Sequence, residues 1–430
     1  MTTIALHALG CRLNEAELEQ TARILEKYGH VIVRLEDHPE LILLNTCSVT
    51  TEAMRKSRQI ARKLCLHAPK CLVVMGCALD LMPEGENFFE FDPSDPAFVP
   101  PKLLLIRGFD KPRAGDIIAQ YIRDHADLFS EARNIQNYIS HTRAFIKIED
   151  GCNNRCSYCS VRLARGHERS ESTKDILRDI HTYTSRGVLE IILTGVQLGA
   201  WKEDQRRLPD LLTDILHQTT VPRIRLSSIE PWHIRENLWS LWCNEPRLCP
   251  HFHIPVQSGS DAVLTAMRRR TPIPAYLELI RNLRQHIADV RISTDLIVGF
   301  PGETEANWAE TLAFIDEAKF DDVHLFRFSA RPGTDAYNMP NQVPPDVKKM
   351  RWNEAEEHIK RHAAERLKSF VGKSYPVLWE SNHAKSCAAH TMTGGYSPNY
   401  LRFERTFPAS ASMRGTITME TFAMTDIESP

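Results

Sequence analysis

Ala144-Phe145-Ile146-Lys147-Ile148-Glu149-Asp150-Gly151-Cys152-Asn153-Asn154-Arg155-Cys156-Ser157-Tyr158-Cys159 is an apolar run that empties into a polar loop carrying three cysteines. The run reads as a strand, and the cysteines follow it in a C-x3-C-x2-C spacing. An iron–sulfur cluster of four irons ordinarily takes four thiolates. A loop that offers three leaves one iron without a protein ligand. An open metal position is where a substrate or cofactor binds, as the open position of a catalytic zinc site holds the reacting water. Zinc, or plain buried cysteines, are the other readings. Zinc would want a fourth Cys or His at regular spacing. No fourth cysteine lies nearby, and the first histidine downstream is His167.

Downstream of this loop, apolar runs recur at residues 189–194, 223–228, 250–256, 291–298 and 322–328, separated by helical stretches. With residues 143–149 they make six β/α units, which predicts parallel strands closing into a partial (βα)6 barrel. Sites in such barrels lie at the C-terminal ends of the strands. Polar and glycine-rich punctuation falls at those ends: Thr194-Gly195-Val196-Gln197, Ser227-Ser228-Ile229-Glu230-Pro231, Pro255-Val256-Gln257-Ser258-Gly259, Asp295 to Gly299, and Ser329-Ala330-Arg331-Pro332-Gly333. Each alone is ordinary turn chemistry. Five at the same end of successive strands are harder to dismiss. His251 and His253 alternate on one strand and share a face, as a metal pair or as hydrogen-bonded structural residues. Met267-Arg268-Arg269-Arg270 reads as a phosphate contact or a solvated helix end.

Upstream, residues 1 to about 135 again alternate strand and helix, which argues a parallel sheet with helices on its faces. Strands are expected at Ile4 to Leu9, Ile42 to Leu44 and Cys71 to Met75. Asn14 is expected as a helix N-cap. Cys11, Cys47 and Cys77 each follow the end of a strand, and strand ends of an open parallel sheet share one ligand-binding edge. Three cysteines far apart in sequence thereby meet, and again number three. Cys65 and Cys71 read as buried small hydrophobes. Arg55, Lys56, Arg58, Arg62 and Lys63 form a basic helix face, either solvated or facing RNA. Residues 80–135, interrupted by Pro83, Pro93, Pro96, Pro100 and Pro101, read as irregular, with Phe88, Phe89 and Phe91 able to pack locally.

At the other end, residues 346–370 are rich in Lys, Glu, Ala and Arg and read as a solvent-exposed connecting helix. Residues 371–430 turn to short strands around Tyr396, Tyr400 and Arg402, which predicts a small β-barrel. That segment holds five Lys/Arg and five Asp/Glu, so it carries no obvious basic patch.

The 430 residues suffice for two or three domains. A formal net charge of −2 gives no global field toward nucleic acid, though a local patch would suffice. The first residues offer no basic segment followed by an apolar one, and no apolar run reaches the length of a membrane span. Eleven cysteines, with the informative ones in loops at metal-site spacing, suit a reducing compartment. A cytoplasmic protein with no membrane association is therefore expected.

The loop Cys152-Asn153-Asn154-Arg155-Cys156-Ser157-Tyr158-Cys159, with an aromatic before its last cysteine, resembles the radical S-adenosylmethionine enzymes. Gly10-Cys11-Arg12-Leu13-Asn14, Asn45-Thr46-Cys47-Ser48-Val49-Thr50 and Gly76-Cys77-Ala78 resemble the three signatures of the methylthiotransferase N-terminal domain. The C-terminal segment resembles a TRAM domain. The resemblance implies residues 1–135 as the methylthiotransferase domain, with 80–135 atypical, residues 138–345 as the radical core, 346–370 as a connecting helix and 371–430 as the TRAM-like domain. It implies two [4Fe-4S] clusters, one on Cys152, Cys156 and Cys159 and an auxiliary one on Cys11, Cys47 and Cys77. It implies S-adenosylmethionine among Gly195, Gln197, Ser228, Glu230, Gln257, Ser258, Asp295, Gly299 and Arg331. Arg162, Arg165 and Arg169 match a basic stretch of the family or are solvated charge.

The reaction so implied replaces C–H by C–S–CH3. The Arg12-Leu13-Asn14, Ser48-Val49-Thr50 and Arg55-Lys56-Ser57-Arg58 segments look most like the branch that acts on N6-threonylcarbamoyladenosine beside the tRNA anticodon. An isopentenyladenosine or a ribosomal-protein aspartate is the alternative substrate. A non-catalytic iron–sulfur RNA-binding protein is the reading from another class. The implied partners are the tRNA anticodon stem-loop and an electron donor such as flavodoxin or ferredoxin. No general base is assigned, since a radical route does not demand one.

Overall fold

A computed structural model describes residues 1–47, 51–82, 88, 100–129, 142–382, 390–408 and 410–428. The Ser48-Val49-Thr50 signature, together with Pro83, Phe89, Phe91, Pro93 and Pro96, lies outside the described residues.

One compact unit comprises Met1–Ser140, Gly151–Asn154 and Cys159–His167. It holds a five-stranded sheet built from β1 (Thr3–Ala8), β2 (Val31–Ile32), β3 (Leu41–Thr46), β4 (Cys71–Gly76) and β5 (Lys102–Ile106). The order is β2-β1-β3-β4-β5 and every pairing is parallel. Its helices are α1 (Arg12–Lys27), α2 (Thr51–Cys65), α3 (Cys77–Asp80), α4 (Ala114–Asp124) and α5 (Val161–Arg165). Ile4, Leu41, Leu43, Val73 and Met75 meet Leu18, Leu25 and Ile118 on one face, while Ile42, Leu44, Leu72 and Val74 meet Ala61 and Leu64 on the other. A sheet covered on both faces explains why its strands read as unbroken apolar runs.

The prolines of residues 80–135 predict irregular structure. Over the described residues 102–124 the chain instead continues the α/β pattern, with β5 parallel to β4 and followed by α4. Pro100 and Pro101 stand just before the strand and so cost it no ladder donor. Asn14 is not the helix cap either: Cys11 is, and Asn14 sits in the first turn of α1.

The second unit comprises His141–Asp150, Arg155–Tyr158 and Glu168–Pro430. Six parallel strands, β6 (Arg143–Lys147), β7 (Glu190–Thr194), β8 (Arg223–Leu226), β9 (His251–His253), β10 (Arg291–Val298) and β11 (Asp322–Arg327), pair in two triplets. Parallel bridges from Ile224 to Leu248 and Ser228 to His253 join the triplets into one sequential order. The result is the expected partial barrel. Helices α6 (Thr173–Ser185), α7 (Leu208–Gln218), α8 (Ile273–His286), α9 (Glu305–Ala318) and α10 (Pro345–Lys368) accompany the strands, and one apolar cluster running from Ala144 to Ile359 fills the layer between. Ser172 and Thr304 cap α6 and α9, accepting from the Asp175 and Asn307 amides.

Helix α10 is less solvated than its composition suggests. Arg351, Ala355, Ile359 and His362 are buried along one stripe, and the Arg351 guanidinium meets the buried Glu303 carboxylate at 2.8 Å. The last segment is an antiparallel four-stranded sheet of β12 (Ser374–Asn382), β13 (His390–Tyr396), β14 (Arg402–Pro408) and β15 (Ile417–Thr421) in the order β14-β13-β12-β15. Trp379, Phe403, Leu401 and Phe422 form its core. Tyr396 stacks on Tyr400 at 4.8 Å, and the buried Arg225, ion-paired to Glu190 at 2.7 Å, lies over the Tyr400 ring. These tyrosines are thus engaged by the strand bases of their own unit.

Candidate active site

Strands β1, β3 and β4 are neighbours, and each hands over to a cysteine at its C-terminal end. Cys11 caps α1 in extended conformation, Cys47 directly follows β3, and Cys77 opens α3. Two glycines allow this. Gly10 has φ +96°, and a Cβ there would fall 2.6 Å from the Cys47 Sγ. Gly76 has φ +110°, and its Cβ would fall 2.4 Å from the Thr46 carbonyl oxygen. Both positions demand a residue without a side chain.

Solvent reaches Cys11 from one side, whereas Cys47 and Cys77 are buried. Crowding at the sheet edge pushes the Cys11 thiol up to about 11. The Arg165 guanidinium opposes that rise, and the nearby Cys77 and Cys47 thiols add to it. A thiol raised by its neighbours is relieved by a shared cation, because metal binding takes the thiolate form. Thiolates on a single zinc, at about 2.3 Å each, would lie about 3.8 Å apart. Among the described residues these three sulfur atoms do not all lie within 4.8 Å of one another. The donor set and its spacing fit a cluster larger than one ion.

A buried polar network lies beneath the trio. Asn14 Nδ2 donates to the carbonyls of Leu9 at 2.6 Å and Thr46 at 3.0 Å, tying the loops that carry Cys11 and Cys47. Arg165 Nη1 donates to Glu17 Oε1 at 2.6 Å, and its Nη2 donates to Asn14 Oδ1 at 2.8 Å. Asn45 Nδ2 completes the network by donating to Glu17 Oε2 at 2.9 Å. Arg165 is therefore not solvated charge. Its burial depends on Glu17, far away in sequence, so no local signal announces it.

The second cysteine loop is pinned at several points. Glu149 and Asp150 pair antiparallel with Ser170 and Arg169. The Cys152 amide donates to the Gly166 carbonyl at 3.1 Å, and the Asn154 amide donates to the Cys152 Sγ at 3.4 Å. His167 binds Asn153 at 2.8 Å, so this nearest histidine already has another partner. Ser157 is buried and held by Met267 and Ala266 carbonyls. Cys152, Cys156 and Cys159 are all half-buried. Three thiols on a braced loop fit a cluster with one open position.

The barrel residues singled out by sequence fall where β-strands end, except Asp295, which lies within β10. Gly195 lies against Glu149, whose Oε2 accepts from the Gln197 amide at 2.7 Å. Sequence reading passed over Glu149, which looks like the polar end of a strand. Burial pushes its carboxyl up to about 8. The Gln197 side chain is 3.4 Å from His233 Nε2, and burial pushes His233 down to about 4. Glu230 is gripped by Arg269 Nη1 at 3.0 Å, and Arg269 also donates to the Pro255 carbonyl. Gln257 holds φ +82°, its amide bonded to the Asp295 carbonyl at 2.9 Å. Ser258 is buried, Ser228 exposed, and Gly299 bonds through its amide to Glu303 at 2.9 Å. Arg331 is half-buried after β11. The Asp295 side chain turns instead to His253 and His324.

Comparison with known proteins gives concordant matches. Residues 146–315 match the Radical SAM superfamily, and residues 3–97 match Uncharacterized protein family UPF0004. The chain is 32% identical to a threonylcarbamoyladenosine tRNA methylthiotransferase of Thermotoga maritima, covering 94% of this chain and 91% of that protein. It is 29% identical to the Bacillus subtilis protein of the same name, covering 97% and 93%. It is also 33% identical to a tRNA-2-methylthio-N(6)-dimethylallyladenosine synthase of Dictyoglomus thermophilum, covering 88% and 87%. Among solved structures, a radical S-adenosylmethionine methyltransferase from Kitasatospora setae superposes with a TM-score of 0.58 at 13% identity, covering 78% of this chain and 75% of that one. That likeness concerns the fold.

Proposed function

The chain belongs to the radical S-adenosylmethionine methylthiotransferase family, and on that premise we propose that it adds a methylthio group to C2 of N6-threonylcarbamoyladenosine next to the anticodon of tRNA. The observation that carries this reading is the convergence of Cys11, Cys47 and Cys77 on one sheet edge, in a chain that also carries a braced C-x3-C-x2-C loop. The threonylcarbamoyl branch is favoured because relatives matched over 94% and 97% of the chain bear that name. The dimethylallyladenosine substrate is the second reading, supported by a relative of similar identity.

The family's cofactors are S-adenosylmethionine and [4Fe-4S] clusters. When bound, they supply hydrogen abstraction, sulfur delivery and methyl transfer. Cys152, Cys156 and Cys159 would hold one cluster, and Cys11, Cys47 and Cys77 would hold the other. Glu149 fixes the Gly195–Gln197 turn by accepting the Gln197 amide, so the backbone there is set before the cofactor arrives. Arg269 orients the Glu230 side chain, and the Asp295 carbonyl sets the Gln257 backbone. Ser228, Ser258, Gly299 and Arg331 complete the proposed S-adenosylmethionine surround. Preorganisation of this kind spares the reaction the cost of ordering these groups.

Arg55, Lys56, Arg62 and Lys63 are exposed along α2 and suit the tRNA backbone, with Arg55 partly committed to Glu52. Among the described residues no helix is long and apolar enough to cross a membrane. A cytoplasmic location and a flavodoxin- or ferredoxin-type electron donor complete the reading, with the C-terminal sheet as a TRAM-like module. The test is to incubate the cluster-loaded, reduced protein with S-adenosylmethionine and anticodon stem-loop RNAs bearing either modified adenosine. Methylthiolation of the threonylcarbamoyl RNA is expected. Turnover of only the dimethylallyl RNA would move the substrate, and S-adenosylmethionine left intact would remove the enzymatic reading.

A further inference from the structure

We propose that His253, Asp295 and His324 form a binding site for one divalent transition-metal ion, in addition to the two cysteine sets. The inference goes beyond the methylthiotransferase reading and does not depend on its substrate. The three residues sit on adjacent strands β9, β10 and β11. Asp295 and His324 are paired in register, and His253 pairs with Ser293, two residues before Asp295. All therefore project from one face of the sheet. The alternate residues Phe252, Ile254, Leu296 and Val323 are buried in the cluster shared with the helices, so the His-Asp-His face is the barrel's inner one.

The geometry is that of a ligand set. Asp295 Oδ1 lies 3.1 Å from His253 Nε2 and 3.3 Å from His324 Nδ1, and the three ligand atoms lie within 4.8 Å of one another. Nitrogen and oxygen ligands about 2.1 Å from a shared ion stand roughly 3.0–3.4 Å apart. The other nitrogen of each ring is held from behind. His253 Nδ1 is 2.9 Å from Ser293 Oγ, and His324 Nε2 is 3.5 Å from Asp322 Oδ2. Backing of each ligand histidine by a hydroxyl or carboxylate is the outer-shell pattern of metal sites. The charge agrees. Asp295 and Asp322 bring two negative charges to two imidazoles, which one divalent cation balances. His324 is more than half exposed, so coordination positions remain open to water or to an oxygen ligand. Two histidines and one carboxylate suit zinc or iron(II).

The test uses the anaerobically purified protein with both clusters loaded, equilibrated with micromolar Zn2+ and analysed for zinc and iron by mass spectrometry. One zinc per chain is expected with iron content unchanged. His324→Gln, which keeps a hydrogen-bonding side chain, should weaken zinc affinity at least tenfold, and Ser293→Ala by about tenfold, the scale of an outer-shell loss. His181→Ala, at an exposed position of α6, should bind as the parent does. Absence of zinc uptake, uptake unaffected by His324→Gln, or uptake matched by loss of iron would each overturn the site and leave a plain His-Asp-His ion-pair cluster.

Discussion

Gly10 and Cys47 leave no room for each other to change: a Cβ on Gly10 would lie 2.4 Å from the Cys47 Cβ and 2.6 Å from its Sγ. The left-handed φ of +96° adds a backbone penalty of about 1–2 kcal/mol for any other residue. Gly10→Ala is therefore expected to displace the Cys47 thiol and cost the protein its sheet-edge cluster while the loop cluster stays. Iron and acid-labile sulfide content should fall from two clusters to one. Full loading of both clusters in that variant would mean that Cys47 is not a ligand.

Arg165 and Glu17 are a buried pair, so removing one charge strands the other. Arg165→Met should destabilise the protein by about 3–5 kcal/mol, the usual cost of orphaning a buried ion. Arg165→Met combined with Glu17→Leu should recover most of that loss. Denaturant unfolding of the single and double variants measures it. Equal stability of single variant and parent would remove the network from the account of how α5 is held.

Glu149 gives a pH dependence with a definite sign. Its folded pKa is raised from 4.5 to about 8 by burial, so the folded state favours the neutral carboxyl. The stability it contributes is full below pH 4.5 and is lost as pH rises through about 8. Glu149→Gln keeps an acceptor for the Gln197 amide without the ionisation. The variant should melt less steeply with rising pH, and above pH 8 it should exceed the parent by up to a few kcal/mol, each tenfold change in the protonation equilibrium being worth about 1.4 kcal/mol. Parallel melting profiles for variant and parent would show that Glu149 ionises freely.

Gln257 holds a left-handed backbone, φ +82°, that a side chain pays for with about 1–3 kcal/mol of strain. Gln257→Gly should relieve part of it and raise the melting temperature, yet weaken S-adenosylmethionine binding in equilibrium dialysis. A more stable variant with unchanged affinity would take Gln257 out of the proposed cofactor surround.

Much of this is legible in the sequence alone. Gly-Cys at a strand end is a local signal, because the glycine permits the turn that the cysteine needs. The six barrel strands are legible as short apolar-rich runs spaced between helical stretches. What stays hidden depends on distant partners. Arg165 looks like any basic residue until Glu17 is placed beside it. His324 gains meaning only from its register with Asp295. Residues 102–124 are obscured by the prolines before them, although Leu103-Leu104-Leu105-Ile106 is an adequate strand signal. In α10 the buried stripe of Arg351, Ala355, Ile359 and His362 hides because two of its four members are polar and find partners in Glu303 and Asp316.

The central claim is tested most directly by mass spectrometry of nucleosides from total tRNA of cells with and without this gene. The account predicts loss of 2-methylthio-N6-threonylcarbamoyladenosine on deletion, with its unmethylthiolated parent accumulating. An unchanged level of that nucleoside, in cells with no second enzyme of the branch, would contradict it.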